Sequence, residues 1–133
     1  MAVEFNHTIV DCTDKDASAR FLAYILGVGE PSSYGPFAVV QLGNGTTLDF
    51  AEGQGQPHRQ HYAFLVSEEE FDQIHARIVD RGLTYWADPF HRSEGEINTN
   101  DGGRGLYWDD PDGHNLEILT VPYGGWNRGN VLG

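Results

Sequence analysis

Two stretches of the chain repeat apolar side chains at helical spacing. After Thr13-Asp14-Lys15-Asp16, whose short polar side chains suit a helix start, apolar residues fall at Ala17, Phe21, Tyr24 and Ile25. Those offsets place them on one face, and Gly27 tolerates a left-handed stop, so a helix is predicted over 14–26. A second helix opens at Ser67-Glu68-Glu69-Glu70, a capping-box spacing. It carries Phe71, Ile74 and Ile78 on one face and stops at Gly82.

The other apolar runs are short, rich in β-branched and aromatic residues, and bounded by glycine, proline and asparagine, which predicts strands. They cover 5–11, 37–42, 46–51, 61–66, 83–86, 105–109 and 115–121, with a weaker edge strand near Ser32. Gly43-Asn44-Gly45 and Asp110-Pro111-Asp112-Gly113 are the tight turns between neighbours. Strand, helix and further strands recur in the same order after residues 52–57. Asn6-His7-Thr8-Ile9-Val10 opens the first half as Gln60-His61-Tyr62-Ala63-Phe64 opens the second. Thr47-Leu48-Asp49-Phe50 closes the first as Asn115-Leu116-Glu117-Ile118 closes the second. The chain therefore reads as a tandem repeat, with one strand histidine and one mid-strand acid in each half and a shared site expected near a pseudo-twofold axis.

Composition narrows the functions this repeat can serve. The chain has 133 residues, 39% of them hydrophobic, and a formal net charge of -12, which repels nucleic acid and anionic membranes. Its longest apolar run, Phe21 to Leu26, is far short of the ~20 residues that span a bilayer. One cysteine forms no internal disulfide, and the first residues lack the pattern of a secretory leader, so a cytoplasmic location is expected.

An acid in the middle of a strand needs a partner, because burying an unpaired carboxylate costs several kcal/mol. Alternation turns Leu116 and Ile118 toward the helices and Glu117 the other way, and Leu48 and Phe50 flank Asp49 likewise. His7, Asp49, His61 and Glu117 are thus the candidates for a metal site. Two imidazoles and one carboxylate suit non-haem Fe(II), whereas four ligands suit a Lewis-acid metal. Against this stands the commoner fate of such residues, a strand histidine serving structure and a strand acid facing solvent. The recurrence of both in each half favours the metal.

These residues, with the stretch from Tyr107 to Glu117, resemble the vicinal oxygen chelate superfamily of glyoxalases, bleomycin-resistance proteins and extradiol dioxygenases. The resemblance spans nearly the whole chain and implies an α+β fold. In it two tandem βαβββ modules, about 1–53 and 60–121 with a tail at 122–133, form a cup-shaped mixed sheet with helices outside. It implies metal ligands at His7, His61 and Glu117. Tyr85-Trp86-Ala87-Asp88-Pro89, Gly95-Glu96-Ile97-Asn98 and 100–105 look most like the subgroup of the chartreusin-biosynthesis dioxygenase. That implies an Fe(II)-dependent dioxygenase cleaving a carbon–carbon bond of a phenolic polyketide in antibiotic biosynthesis, using an oxygen species. The alternatives are a glyoxalase-type lyase or isomerase and a metal-free antibiotic-binding resistance protein. Glyoxalase-like members carry glutamate where Asp49 stands, and the shorter acid suits a general base for the substrate hydroxyl.

Trp86 and Tyr107 are expected to line an aromatic cleft for a flat substrate. His91, in the long segment 87–104, is expected to touch substrate, and that segment reads as a mobile cover. His58, His75 and His114 are read as structural or exposed, and Cys12 as a packed thiol. The glycine-rich tail suits a subunit contact, and the expected assembly is a homodimer.

Overall fold

The computed structural model describes residues 3–125, and the expected order of elements is present twice. The first run is β1 (His7–Cys12), α1 (Lys15–Leu26), β2 (Ser32–Tyr34), β3 (Phe37–Gln41) and β4 (Thr47–Glu52). The second is β5 (His61–Leu65), α2 (Glu68–Asp80), β6 (Tyr85–Trp86), β7 (Gly105–Asp109) and β8 (Asn115–Leu119). Each run builds a four-stranded mixed sheet, β1-β4-β3-β2 and β5-β8-β7-β6. In each sheet the first strand lies parallel to the last, and the remaining pairs are antiparallel. This is α+β architecture made of two βαβββ modules. The chain divides into two compact units, residues 3–59 with Asp110–Gly113, and Gln60–Asp109 with residues 114–125.

In unit 1 the N-terminus of α1 is fixed by Asp14, whose side chain accepts from Ala17 N at 3.1 Å. Asp112 adds a second acceptor, taking the Thr13 hydroxyl at 2.6 Å and the Thr13 amide at 3.1 Å. The helix stops at Gly27, at φ 74°. Val10, Cys12, Ala38, Val40, Leu48 and Phe50 form the buried face of this sheet, and α1 packs on β3 and β4.

The helix presents Ser18, Ala19, Leu22, Ala23 and Ile25 to that core. Tyr24, expected inside, is 42% exposed, and Ala17 and Phe21 are only half-buried. Small residues let a helix lie close to a sheet, so the alanines and Ser18 displaced the larger rings from the contact.

In unit 2, α2 has the expected reciprocal cap. Ser67 Oγ accepts from Glu70 N at 3.1 Å, and Glu70 Oε1 accepts from Ser67 N at 2.8 Å. Phe71, Ile74 and Ile78 are buried as expected, and the His75 ring meets the edge of Tyr85. Phe64, Leu106, Trp108, Leu116 and Ile118 complete the buried face of the sheet. Alternation leaves His61, Ala63, Trp86, Tyr107, Asp109, Asn115 and Glu117 on its other face.

The segment 87–104 is bonded to itself and to the start of β7. Asp88 accepts the backbone amides of Phe90, Arg92 and Ser93, and Asn98 bridges to Gly105 and donates to Ala87 O. Residues 126–133 of the expected tail lie outside the described residues, and no helix among those described is long and apolar enough to cross a membrane.

Candidate functional site

The parallel register of β5 and β8 sets His61 beside Asn115 and Ala63 beside Glu117. Glu117 therefore stands two residues along from the partner of His61, on the same face, and its longer side chain closes that diagonal. His61 Nε2 lies 3.1 Å from Glu117 Oε1. The other ring nitrogen, Nδ1, lies 2.8 Å from the carbonyl oxygen of Asn115. A carbonyl only accepts, so Nδ1 carries the proton. In the neutral ring Nε2 then bears a lone pair, and it faces a carboxylate oxygen. Two acceptors at this distance repel unless a proton or a cation lies between them. Imidazole nitrogen and carboxylate oxygen, with the far nitrogen pinned by a carbonyl, are the donor set and supporting bond that a divalent metal takes.

Tyr107 on β7 borders the pair. Its ring lies 6.0 Å from that of His61 at an interplanar angle of 25°. Burial first, then the charge of Glu117 and a hydrogen bond to it, push the Tyr107 phenol up to about 12, so it stays protonated. Trp86 pairs with Tyr107 across the antiparallel ladder, while Tyr85 and Trp108 turn to the helix side. One face of Trp86 is covered by His91, with ring centroids 3.6 Å apart and planes within 6°. His91 adopts φ 60°, a left-handed backbone rare outside glycine, and its Nε2 lies 3.5 Å from Asp109 Oδ1.

In unit 1, His7 pairs with Thr47 and Ile9 with Asp49, so both candidates share the face turned away from α1. His7 Nδ1 lies 2.6 Å from Asn6 Oδ1; donation to that amide oxygen frees Nε2 as an acceptor, as in His61. Asp49 Oδ1 accepts the Thr47 hydroxyl at 2.8 Å. The structure thus brings His61, Glu117 and Tyr107 together, with Trp86 and His91 stacked on the same unit, while His7 and Asp49 belong to unit 1. Among the described residues, no three His, Cys, Asp or Glu side chains form a ready-made metal group.

The remaining candidates take structural places. His114 is fully buried, its Nδ1 accepting from Gln60 N at 3.0 Å. Cys12 is buried, and burial, then the charges of Asp112, Glu52, Asp11 and Asp110, push its thiol up to about 11. Sequence reasoning missed Thr47, Asp109 and Asn115. Their roles depend on cross-strand register, and the only signal was their alternation with the acids and histidines already chosen.

A family model for the glyoxalase/bleomycin resistance protein/dioxygenase superfamily matches residues 4–118. The solved structure of oxidase ChaP-H1 is 67% identical, covers 93% of this chain and all of its own, and superposes with a TM-score of 0.91. Oxidase ChaP-H2 is 62% identical over 94% of this chain and 98% of its own, also with a TM-score of 0.91. Glutathione transferase FosA of Serratia marcescens is 30% identical over 89% of this chain and 81% of its own length.

Proposed function

This chain belongs to the glyoxalase/bleomycin resistance protein/dioxygenase superfamily, and we propose that it is a metal-dependent dioxygenase that cleaves a carbon–carbon bond of a phenolic aromatic polyketide in antibiotic biosynthesis. Relatives at 62% and 67% identity are named oxidases, which supports an oxidoreductase over the transfer chemistry in FosA's name at 30%. The observation that carries the reading is the His61–Glu117 pair, two acceptors 3.1 Å apart that a cation reconciles. The proposed ligands are His7, His61 and Glu117, and the proposed metal is Fe(II).

When bound, such a cation lowers the proton affinity of a coordinated phenol and supplies the redox capacity that oxygen chemistry needs. The residues of the chain divide the remaining work. Asn115 O fixes the His61 tautomer, so Nε2 is always the nitrogen presented. Tyr107 donates a hydrogen bond to Glu117 and keeps its proton, which orients the carboxylate without neutralising it. Trp86 and Tyr107 offer flat apolar surface to a polycyclic substrate. Asp49, held by Thr47 through one oxygen, keeps the other to receive the hydroxyl proton of the substrate. A homodimer in the cytoplasm is the proposed working state.

The test is anaerobic reconstitution with Fe(II), metal analysis, and oxygen uptake with a panel of polycyclic quinols. Oxygen consumed in step with ring opening is expected. Isomerisation without oxygen, binding without turnover, or consumption of a thiol instead of oxygen would each overturn the reading, in favour of a lyase, a sequestering protein or a transferase.

A further inference from the structure

The His91–Asp109 contact lies apart from the metal ligands proposed above, and the stacking of His91 on Trp86 does not account for it. His91 Nε2 and Asp109 Oδ1 face each other at 3.5 Å, and both atoms are buried with no hydrogen-bond partner. Buried polar atoms are ordinarily satisfied, so a facing pair held just beyond a good bond calls for an explanation. The surroundings hold the imidazole in place. Asp88 gathers the loop through three backbone amides, His91 itself takes a left-handed backbone that β-carbon-bearing residues avoid, and Trp86 lies flat against its ring. Strain retained in a well-bonded loop is a mark of functional positions. Asp109 stands two residues from Tyr107 on the same strand and pairs with Asn115, so the carboxylate shares the open face that carries His61 and Glu117.

We propose that His91 and Asp109 form an acid–base dyad, in which His91 takes a phenolic proton from the aromatic substrate and Asp109 positions and supports the imidazole. Asp109 holds the Nε2 proton, which leaves the lone pair on Nδ1. The O–H bond of the phenol breaks, its electron pair stays on oxygen, and the proton forms the new Nδ1–H bond. The resulting imidazolium is stabilised by the carboxylate behind it, and its Nε2–H···Oδ1 bond shortens as charge develops. His91 is the catalytic residue of the dyad and Asp109 the positioning one. The dyad rests on the phenolic substrate class proposed above and is separate from Asp49, which belongs to unit 1.

The probe is 2-hydroxyanthraquinone, a flat phenol with a single hydroxyl that cannot chelate a metal and whose phenolate has its own visible band. Its ionisation is followed from pH 6 to 10 while bound to the wild type, His91→Gln, His91→Asn and Asp109→Asn. Asparagine suits the left-handed backbone at 91, so that variant keeps the loop if glutamine does not. Asp88, Arg92 and Glu94 on the loop, Tyr107 on β7, His61 on β5 and Glu117 on β8 are ionisable groups of the loop and of this face besides the dyad, and they are unchanged throughout. The bound dye is expected to ionise about one pH unit lower in the wild type than in either His91 variant, a tenfold difference in proton affinity. Asp109→Asn should shift the midpoint upward by a smaller amount.

Equal midpoints in wild type and His91 variants, or a wild type that does not bind the dye, would overturn the dyad. So would a downward shift in Asp109→Asn, which marks Asp109 as a bare negative charge opposing ionisation. Oxygen uptake separates the two readings. A dye shift without oxygen uptake keeps the dyad and removes the oxygenase, and oxygen uptake without a dye shift does the reverse.

Discussion

Replacing Glu117 by glutamine distinguishes a cation site from an ordinary ion pair. In the wild type, His61 Nε2 and Glu117 Oε1 are acceptors 3.1 Å apart when the ring is neutral. The amide of Glu117→Gln can turn its NH2 toward Nε2, which converts repulsion into a hydrogen bond. The metal-free variant should therefore melt at or above the wild-type temperature. Metal should separate the two proteins in the opposite sense. A ligand present at a hundred times its dissociation constant adds about 2.7 kcal/mol to the folded state. The chain has 133 residues, and at about 2.1 cal/mol/K of unfolding entropy per residue its midpoint entropy is roughly 0.28 kcal/mol/K. The expected rise in Tm is thus about 10 °C for the wild type with saturating Fe(II), Mn(II) or Co(II). The variant loses an anionic ligand and should rise by less than about 3 °C, corresponding to under 1 kcal/mol. Differential scanning fluorimetry under nitrogen reads both numbers without any turnover assay. A variant that gains as much as the wild type would show that Glu117 holds no cation, and a variant markedly less stable without metal would show that the pair is a plain His⁺–carboxylate bridge.

Asp49→Asn should keep the Thr47 hydroxyl bond and the iron but lose about 10²- to 10⁴-fold in oxygen-consuming turnover, the usual contribution of a general base; iron loss would make Asp49 a ligand, and full turnover would make it structural. For Cys12, whose thiol is pushed up to about 11, thiolate at pH 8 should be about a hundredfold scarcer than for a free cysteine. Iodoacetamide labelling of the native protein, read by mass spectrometry, should be negligible at pH 8 and climb toward pH 11, and ready labelling at pH 8 would contradict the buried placement.

Local chemistry made most of the fold legible. The Ser67 capping box, Asp14, Gly27 and Gly82 set helix ends that the structure keeps to within a residue or two, and the doubled order of strands and helices followed from turn residues between apolar runs. Alternation also sorted the aromatics correctly, with Trp86 and Tyr107 on one face and Tyr85 and Trp108 on the other. Packing between elements was less visible. The inner face of α1 went to Ser18, Ala19 and Ala23 because the limit there is how closely helix and sheet approach, and hydrophobic periodicity weighs Tyr24 above an alanine. In the segment 87–104, glycine and asparagine suggested mobility, yet Asp88 and Asn98 use their side chains to bind the backbone of the loop itself. Asp109 was hidden for a related reason. It read as the last residue of a strand, and only the approach of His91 from that loop gives its carboxylate a counterpart.

The two modules place an acid at the same repeat position, and a single methylene separates what those acids reach. In module two the diagonal from His61 to Glu117 runs two residues along a neighbouring parallel strand, about 8 Å between α-carbons for a rise of ~3.3 Å and a strand spacing of ~4.8 Å. Glutamate and histidine together span it and meet at 3.1 Å. Module one has the same register, with His7 beside Thr47 and Ile9 beside Asp49, so the same diagonal separates His7 from Asp49. Aspartate is shorter by one carbon–carbon bond, about 1.5 Å, and among the described residues no hydrogen bond or ion pair joins it to His7. Its carboxylate turns instead to the Thr47 hydroxyl on its own strand, at 2.8 Å. A hydroxyl donor satisfies one oxygen and anchors the carboxylate without a cation. Glu117, facing another acceptor when the His61 ring is neutral, is the acid of the two that a proton or a cation reconciles with its histidine. Unequal acids at equivalent positions are therefore held differently, Asp49 by a hydroxyl of its own strand and Glu117 at the end of the diagonal to His61, which favours the unequal roles proposed for them over four equivalent ligands.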